Sequence, residues 1–232
     1  KRKKYTKKIS KQKKKYIHRG GSQIKEEEDW NKEPRIIRIM FTYKKMKEQK
    51  EDLFQSLLPI DKEDTSPYIY TSDIIKEKLR TEDLNKPIPN FYHPLHVAII
   101  WSINSVEMND FIELLLENGA NVYAEYGKEK RTPLYFAARY GLYDIAKLLI
   151  QKGNKDPRQP SIVNQPNEYG NTPLHCAVFY NKKNIVRLLI DNGAYVNAKN
   201  KKKIAPLHIA TFKSRESKQY DSNIIKLLIQ KG

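Results

Sequence analysis

The stretch Thr172-Pro173-Leu174-His175-Cys176-Ala177-Val178-Phe179-Tyr180 opens the most informative segment of this 232-residue chain. Thr172 sits where a helix N-cap hydroxyl can bond an orphan N–H, and Pro173 at the first helical position has no N–H to lose. His175 is placed to bond locally to the same turn. Leu174 and Ala177 then face inward, the small alanine letting a neighbouring helix approach closely. A second helix follows, with Ile185, Val186, Leu188, Leu189 and Ile190 forming a wide apolar stripe at helical spacing. Gly193 supplies the left-handed position that ends it. Tyr195-Val196-Asn197-Ala198 then leads onward.

The opening phrase recurs as His93-Pro94-Leu95-His96, Thr132-Pro133-Leu134-Tyr135 and Ala205-Pro206-Leu207-His208. Each copy precedes an apolar helix and a glycine, at Gly119, Gly153, Gly193 and Gly232. The phrase-to-glycine interval agrees in the second and third copies, Thr132 to Gly153 and Thr172 to Gly193. It is longer in the first and fourth. The extra residues fall at Ser102–Asn109 and Ser214–Ser222, which predicts longer loops between the two helices there. A further insertion, Asn154–Ile162, lengthens the connection between the second and third copies. Neither helix pair can bury its apolar face alone, so the copies are stable only when stacked.

A repeat near 33 residues built on Thr-Pro-Leu-His resembles the ankyrin family. The resemblance spans about His93 to Gly232 and implies an all-α solenoid of helix-turn-helix repeats with β-hairpin-like fingers. The expected repeats are 93–131, 132–171, 172–204 and 205–232. Three departures stand out. Lys203 occupies the finger position usually taken by glycine, which predicts a distorted turn. Repeat two lacks the Ala-x-x-Asn ending after Gly153. The insertion from Lys155 to Ile162 is expected to project.

Residues 31–92 read as a helical cap that covers the open side of repeat one. From Pro34, Ile36, Ile37, Met40, Tyr43, Phe54, Leu57 and Leu58 mark the apolar positions of a helix that Pro59 stops. Ser72 to Arg80 reads as the outer helix of a degenerate earlier repeat, with Ser66–Tyr70 as a relic of its opening phrase. Residues 1–30 read as a disordered basic tail. Residues 1–19 hold eleven Lys or Arg and no acid, so the net charge of +17 leaves only +6 for the remainder. The clusters Lys1-Arg2-Lys3-Lys4 and Lys13-Lys14-Lys15 resemble bipartite nuclear-import signals. The same clusters suit phosphates, importin or anionic lipid, and equally a plain solubilising tail.

Chemistry is not expected of these repeats. His96, His175 and His208 share one repeat position, and Tyr135 replaces histidine there in repeat two, which points to a structural role. Cys176 reads as a small packed residue. No phosphate loop, paired-cysteine zinc spacing or nucleophile elbow is present. No cofactor is expected. A single cysteine excludes an internal disulfide and fits a reducing compartment, so the expected location is cytoplasmic or nuclear. The absent initiator Met, and an end at Gly232 where a repeat would continue, suggest an excised fragment. The richness in Lys, Asn, Ile and Tyr suggests an AT-rich source such as an intracellular bacterium, a parasite or a large DNA virus.

In the ankyrin family, partners commonly dock on the concave face made of inner helices and finger tips. The resemblance therefore implies exposed positions two and three residues beyond each inner-helix alanine. These are Ile100 and Trp101, Arg139 and Tyr140, Phe179 and Tyr180, and Phe212 and Lys213. The finger tips add Tyr126, Lys128, Tyr169, Lys201 and Lys202, suiting a partner with acidic and apolar features. The alternative for Trp101 and Phe212 is folding back under the adjacent loops, and for Tyr140 and Tyr180 ordinary packing between repeats. The leading expectation is a monomeric module that binds a protein partner, in a pathogen or viral factor acting inside a eukaryotic cell. Two others stand beside it: nucleic-acid or anionic-membrane binding by the tail, and an adaptor region of a larger enzyme or ubiquitin-ligase component.

Overall fold

Proline at the first helical position starts four of the helices in the computed structural model, which describes residues 35–48, 77, 79–87, 93–103, 108–154 and 160–232. Helix α1 spans Arg35–Glu48. It is followed by four helix pairs: α2 (Pro94–Ser102) with α3 (Met108–Glu117), α4 (Pro133–Tyr140) with α5 (Tyr143–Gly153), α6 (Pro173–Phe179) with α7 (Lys183–Asp191), and α8 (Pro206–Glu216) with α9 (Ser222–Lys231). The first helices of successive pairs pack against one another, and so do the second helices. Leu95, Leu134 and Leu174 of the opening phrases are all buried in one continuous apolar core. The fold is the expected all-α stack.

Short hairpins join the pairs. Tyr126 and Arg131 form an isolated antiparallel bridge, with N–H···O distances of 2.9 and 3.1 Å. The next two hairpins close from Asn167 to the Asn171 carbonyl at 2.9 Å and from Asn200 to the Ile204 carbonyl at 3.0 Å. Gly170 adopts φ 76° in the second hairpin, and Lys203 adopts φ 60° at the equivalent place in the third. The two turns close alike, Gly170 N–H to Asn167 O and Lys203 N–H to Asn200 O both at 2.8 Å. The distortion expected at Lys203 is therefore not found: the lysine takes up the left-handed conformation instead. Lys130 does the same in the first hairpin, with φ 50°.

Helix α1 caps the array on the side of α2 and α3, as its apolar spacing predicts. Ile36, Ile37, Met40 and Tyr43 are buried, and the Tyr43 ring centroid lies 4.9 Å from that of Phe111. At the other side of α1, Arg35 reaches the Glu82 carboxylate at 2.5 Å and the Thr81 hydroxyl at 2.9 Å. Of the expected helix Ser72–Arg80, Glu77, Leu79 and Arg80 are described and helical, with Leu79 buried. Phe54, Leu57, Leu58, Ser66–Tyr70 and the basic tail, including Lys1, Arg2, Lys3, Lys4, Lys13, Lys14 and Lys15, lie outside the described residues.

Two loop expectations change. Ser214–Glu216 is helical, so repeat four absorbs much of its extra length by extending α8. Tyr220, after that helix, turns inward and donates its hydroxyl to the Val178 carbonyl at 3.0 Å. The insertion does not project at its end: Ile162 and Val163 lie in a 3-10 turn and are fully buried. Residues 155–159 lie outside the described set. Gly153, unlike Gly193, is not left-handed. It is the last residue of α5, and a Cβ there would stand 3.0 Å from the Ile162 side chain. The glycine admits the buried isoleucine.

Candidate functional site

Three adjacent first helices, α4, α6 and α8, bring together most of the predicted surface residues. α4 ends at Tyr140 and α6 at Phe179, whereas α8 runs on past Phe212 and Lys213 to Glu216. The Arg139 guanidinium lies over the Tyr180 ring at 4.8 Å and 5.8 Å from the Tyr140 centroid. Phe179 and Tyr180 meet edge to face, with centroids 5.0 Å apart and planes at 74°. On the far side the Lys213 ammonium sits over the Phe179 ring at 4.7 Å. The order along the surface is cation, ring, ring, cation, spread over three repeats. Such contacts are each worth roughly 0.5–2 kcal/mol, enough to set side-chain orientation in advance of any partner. Phe179 is 44% exposed and Phe212, next to Lys213, is 60% exposed. Lys213 also pairs with Glu216 at 2.7 Å.

The histidines beneath are bridges. His175 Nδ1 accepts the Thr172 backbone N–H at 3.2 Å and lies 2.9 Å from its hydroxyl oxygen. Its Nε2–H donates to the Ile204 carbonyl at 3.0 Å, tying the N-cap of one repeat to the finger that leads to the next. His96 repeats the second contact with the Arg131 carbonyl at 3.1 Å. His208 Nδ1 accepts the Ala205 N–H at 3.1 Å. In repeat two the Thr132 hydroxyl accepts the Tyr135 N–H at 3.3 Å, so the turn forms without histidine. Burial drives the His96 pKa down to about 3, and burial likewise lowers that of His175. Burial pushes the Cys176 thiol up to about 12, which removes the thiolate a nucleophile needs. Among the described residues no group of three His, Cys, Asp or Glu is placed to hold a metal ion.

A second set of bridges runs along the array. Asn164 donates through Nδ2 to the Gly193 carbonyl at 2.9 Å and accepts the Tyr195 N–H at 2.8 Å. Asn85 makes the same pair with Gly119 O and Asn121 N–H, at 3.1 and 2.7 Å. Asn197 donates to the Gly232 carbonyl at 3.1 Å, and the Tyr123 hydroxyl does this for Gly153 at 2.7 Å. Each clamp gives an orphan carbonyl at a helix end a partner in the preceding repeat.

The sequence pattern of ankyrin repeats matches residues 47–161, 95–200 and 158–232. The chain belongs to the ankyrin-repeat family. Among its relatives is the transient receptor potential cation channel subfamily A member 1 homologue of Caenorhabditis elegans, 33% identical over 147 residues, which cover 53% of this chain and 12% of that protein. Alpha-latrocrustotoxin-Lt1a of Latrodectus tredecimguttatus is 34% identical over 137 residues, 59% of this chain and 9% of the toxin. An ankyrin repeat protein of Fowlpox virus is 31% identical over 103 residues, 44% of this chain and 28% of that protein. The chain thus aligns with only a small part of each of these relatives.

Within the ankyrin array, Arg139, Tyr140, Phe179, Tyr180 and Lys213 come together as described, and Tyr169 stands 53% exposed on its finger. Lys128, Lys201 and Lys202 are exposed on theirs, with Lys201 3.1 Å from Glu168. Two expectations are corrected. Ile100 is buried, because α2 is apolar on nearly every side and packs between α1 and α4. Tyr126 is no finger tip: it forms the base of the hairpin, half-buried, its ring 6.1 Å from His96 and 6.5 Å from Phe136. Trp101 is half-buried against the core, so the aromatic strip fades towards repeat one. The clamp residues Asn85 and Asn164 were missed. Asn164 could have been found, since it precedes Asn167 by the same three residues that separate Asn197 from Asn200.

Proposed function

We propose that this ankyrin array binds a protein partner across the strip formed by Arg139, Tyr140, Phe179, Tyr180, Phe212 and Lys213. Ankyrin repeats are a general protein-interaction module, and the fold is typically non-catalytic. The observation that carries the reading is the cation-ring-ring-cation run over α4, α6 and α8, with Phe179 within it and Phe212, next to Lys213, both exposed. Aromatic and arginine side chains dominate interface energetics, and truncating a true anchor costs about 2 kcal/mol or more. Prepacked cations lower the ordering cost that a partner must offset. The setting we propose is the cytoplasm or nucleus of a eukaryotic cell, as a factor of a pathogen or virus. The likeness to the Fowlpox virus ankyrin repeat protein supports that setting. The test is affinity capture from nuclease-treated eukaryotic lysate with the full chain and with Phe179→Ala/Tyr180→Ala. A protein retained by the first and lost by the second, with melting curves unchanged, is the expected result. Equal retention by both would move the interface elsewhere.

A second reading rests on the eleven cations of residues 1–19. A tail of that density binds phosphates or anionic lipid with steep salt dependence. Retention that follows the tail and vanishes with salt would favour it.

A further inference from the structure

The strip has a polarity that narrows what it can hold. Arg139 and Lys213 stand at its two ends, and the Phe179–Tyr180 pair lies between them. Both ends are positive and the middle is apolar. The surroundings carry the same sign: residues 199–218 contain seven Lys or Arg against one acid, Glu216. Four of the five residues 199–203, Lys199, Lys201, Lys202 and Lys203, are exposed, and Asn200 among them is half-buried. A field of one sign over a half-apolar surface raises the local concentration of anionic partners.

We propose that the strip recognises an extended acidic segment of a protein, with two carboxylates on one face and an apolar side chain between them. This rests on the interaction reading above and names its partner class. The spacing follows from the contacts. The steps Arg139 to Tyr180, Tyr180 to Phe179 and Phe179 to Lys213 measure 4.8, 5.0 and 4.7 Å, and laid end to end they bound the distance between the two cations from above. An extended chain covers about 13 Å in four residues and returns to the same face every second residue. Acids up to four residues apart therefore reach both cations, with the residue midway set over the ring pair. Each cation already has a ring beneath it, and among the described residues Lys213 pairs with one carboxylate, that of the exposed Glu216. Exposed pairs of that kind are worth little, so a partner carboxylate displaces Glu216 at small cost.

Single-stranded nucleic acid is the other anionic occupant, and the ring geometry disfavours it. Base stacking needs open aromatic faces. Here Arg139 covers a face of Tyr180, Lys213 covers a face of Phe179, and the two rings meet edge to face. Acids also interrupt the finger lysines: Glu168 pairs with Lys201 and Glu125 with Lys130, at 3.1 and 3.7 Å. Those acids break up a phosphate track without barring a short peptide from the helices.

The experiment is selection of random twelve-residue displayed peptides on the full chain, with counter-selection on the full-length Arg139→Gln/Lys213→Gln variant. Counter-selection removes peptides held by the basic tail. The expected winners carry acid, spacer, apolar residue, spacer, acid. Their synthetic forms should lose about tenfold or more in affinity when Asp and Glu become Asn and Gln, or when the double variant is the target. The peptide-side change keeps the test valid whatever the variant does to folding. Neutral or basic winners that are lost on Phe179→Ala/Tyr180→Ala would overturn the acidic assignment and leave the protein-binding strip standing. Winners indifferent to Phe179→Ala/Tyr180→Ala, or no winners at all, would overturn both. A labelled oligothymidylate that displaces the peptides, and is itself lost on Arg139→Gln/Lys213→Gln, would overturn the assignment in favour of nucleic acid.

Discussion

His175 shows how one side chain does two jobs in two repeats, and why its protonation state matters. Nδ1 must accept from the Thr172 N–H while Nε2–H donates to the Ile204 carbonyl, which defines a neutral tautomer. A second proton would put an N–H where an acceptor is needed. Burial lowers the folded pKa of His175, and that of His96 to about 3, below the ordinary 6.5 of an unfolded histidine. The unfolded chain therefore binds protons first as pH falls. Stability from these residues is complete above pH 6.5 and is lost progressively below it, at up to about 1.4 kcal/mol per pH unit for each. Thermal melts between pH 7.5 and 5, above the range of ordinary carboxylates, should show the midpoint flat to 6.5 and then falling. A flat curve throughout would remove the neutral-bridge account. Lys203 offers the opposite opportunity. It holds φ 60° with an exposed side chain, where glycine would sit without strain. Lys203→Gly should stabilise the chain by about 0.5–1 kcal/mol, read as a higher denaturant midpoint at constant slope.

At the scale of helices, the junction between α5 and the 3-10 turn Ile162–Asn164 separates what was legible from what was not. Spacing and apolar period located the helix pairs and also the buried face of α1, because both follow from local repetition. The insertion after Gly153 hid two facts that local repetition cannot carry. Its far end folds back as a buried Ile162–Val163 pair, and the missing repeat ending reappears as the clamp Asn164. The aromatic strip was legible as positions beyond each alanine. That Arg139 and Lys213 would lie over Tyr180 and Phe179 was not, since those contacts join side chains about forty and thirty-four residues apart in different repeats. Gly153 makes the junction testable. Alanine is the better helix former by about 1 kcal/mol, and Gly153 does not have a left-handed φ. Yet an added Cβ would meet three Ile162 carbons at 3.0–3.1 Å, and Ile162 is fully buried. Overpacking should win: Gly153→Ala is expected to destabilise by about 1–2 kcal/mol. Adding Ile162→Val should recover part of that loss, a coupling that a double-mutant cycle in urea will show directly.

For the whole molecule, stability is a chain of neighbouring interfaces, and the α1 end and the centre should respond differently to damage. The helix pairs are tied by buried leucines and alanines, by the histidine bridges from His96 to Arg131 and from His175 to Ile204, and by the clamps at the helix ends. Repeat one has no full repeat before it and depends in addition on α1, whose Met40 and Tyr43 are buried and whose Tyr43 ring meets Phe111. Met40→Asp would place an unpaired carboxylate where the side chain is now fully buried, at a cost of several kcal/mol, and α1 should detach. The damage should not spread evenly. Amide hydrogen exchange should lose protection in α1, α2 and α3, where the uncovered apolar face meets water. Protection in α6 and α7 should persist, because their neighbours on both sides remain in place. That gradient matters for the binding strip, which lies on α4, α6 and α8, away from the cap. The Met40→Asp chain should therefore still bind a peptide selected on the intact strip, with affinity reduced less than its melting temperature would suggest. Uniform loss of protection across all four helix pairs would mean that the array unfolds as one cooperative body, and that the cap governs the strip after all.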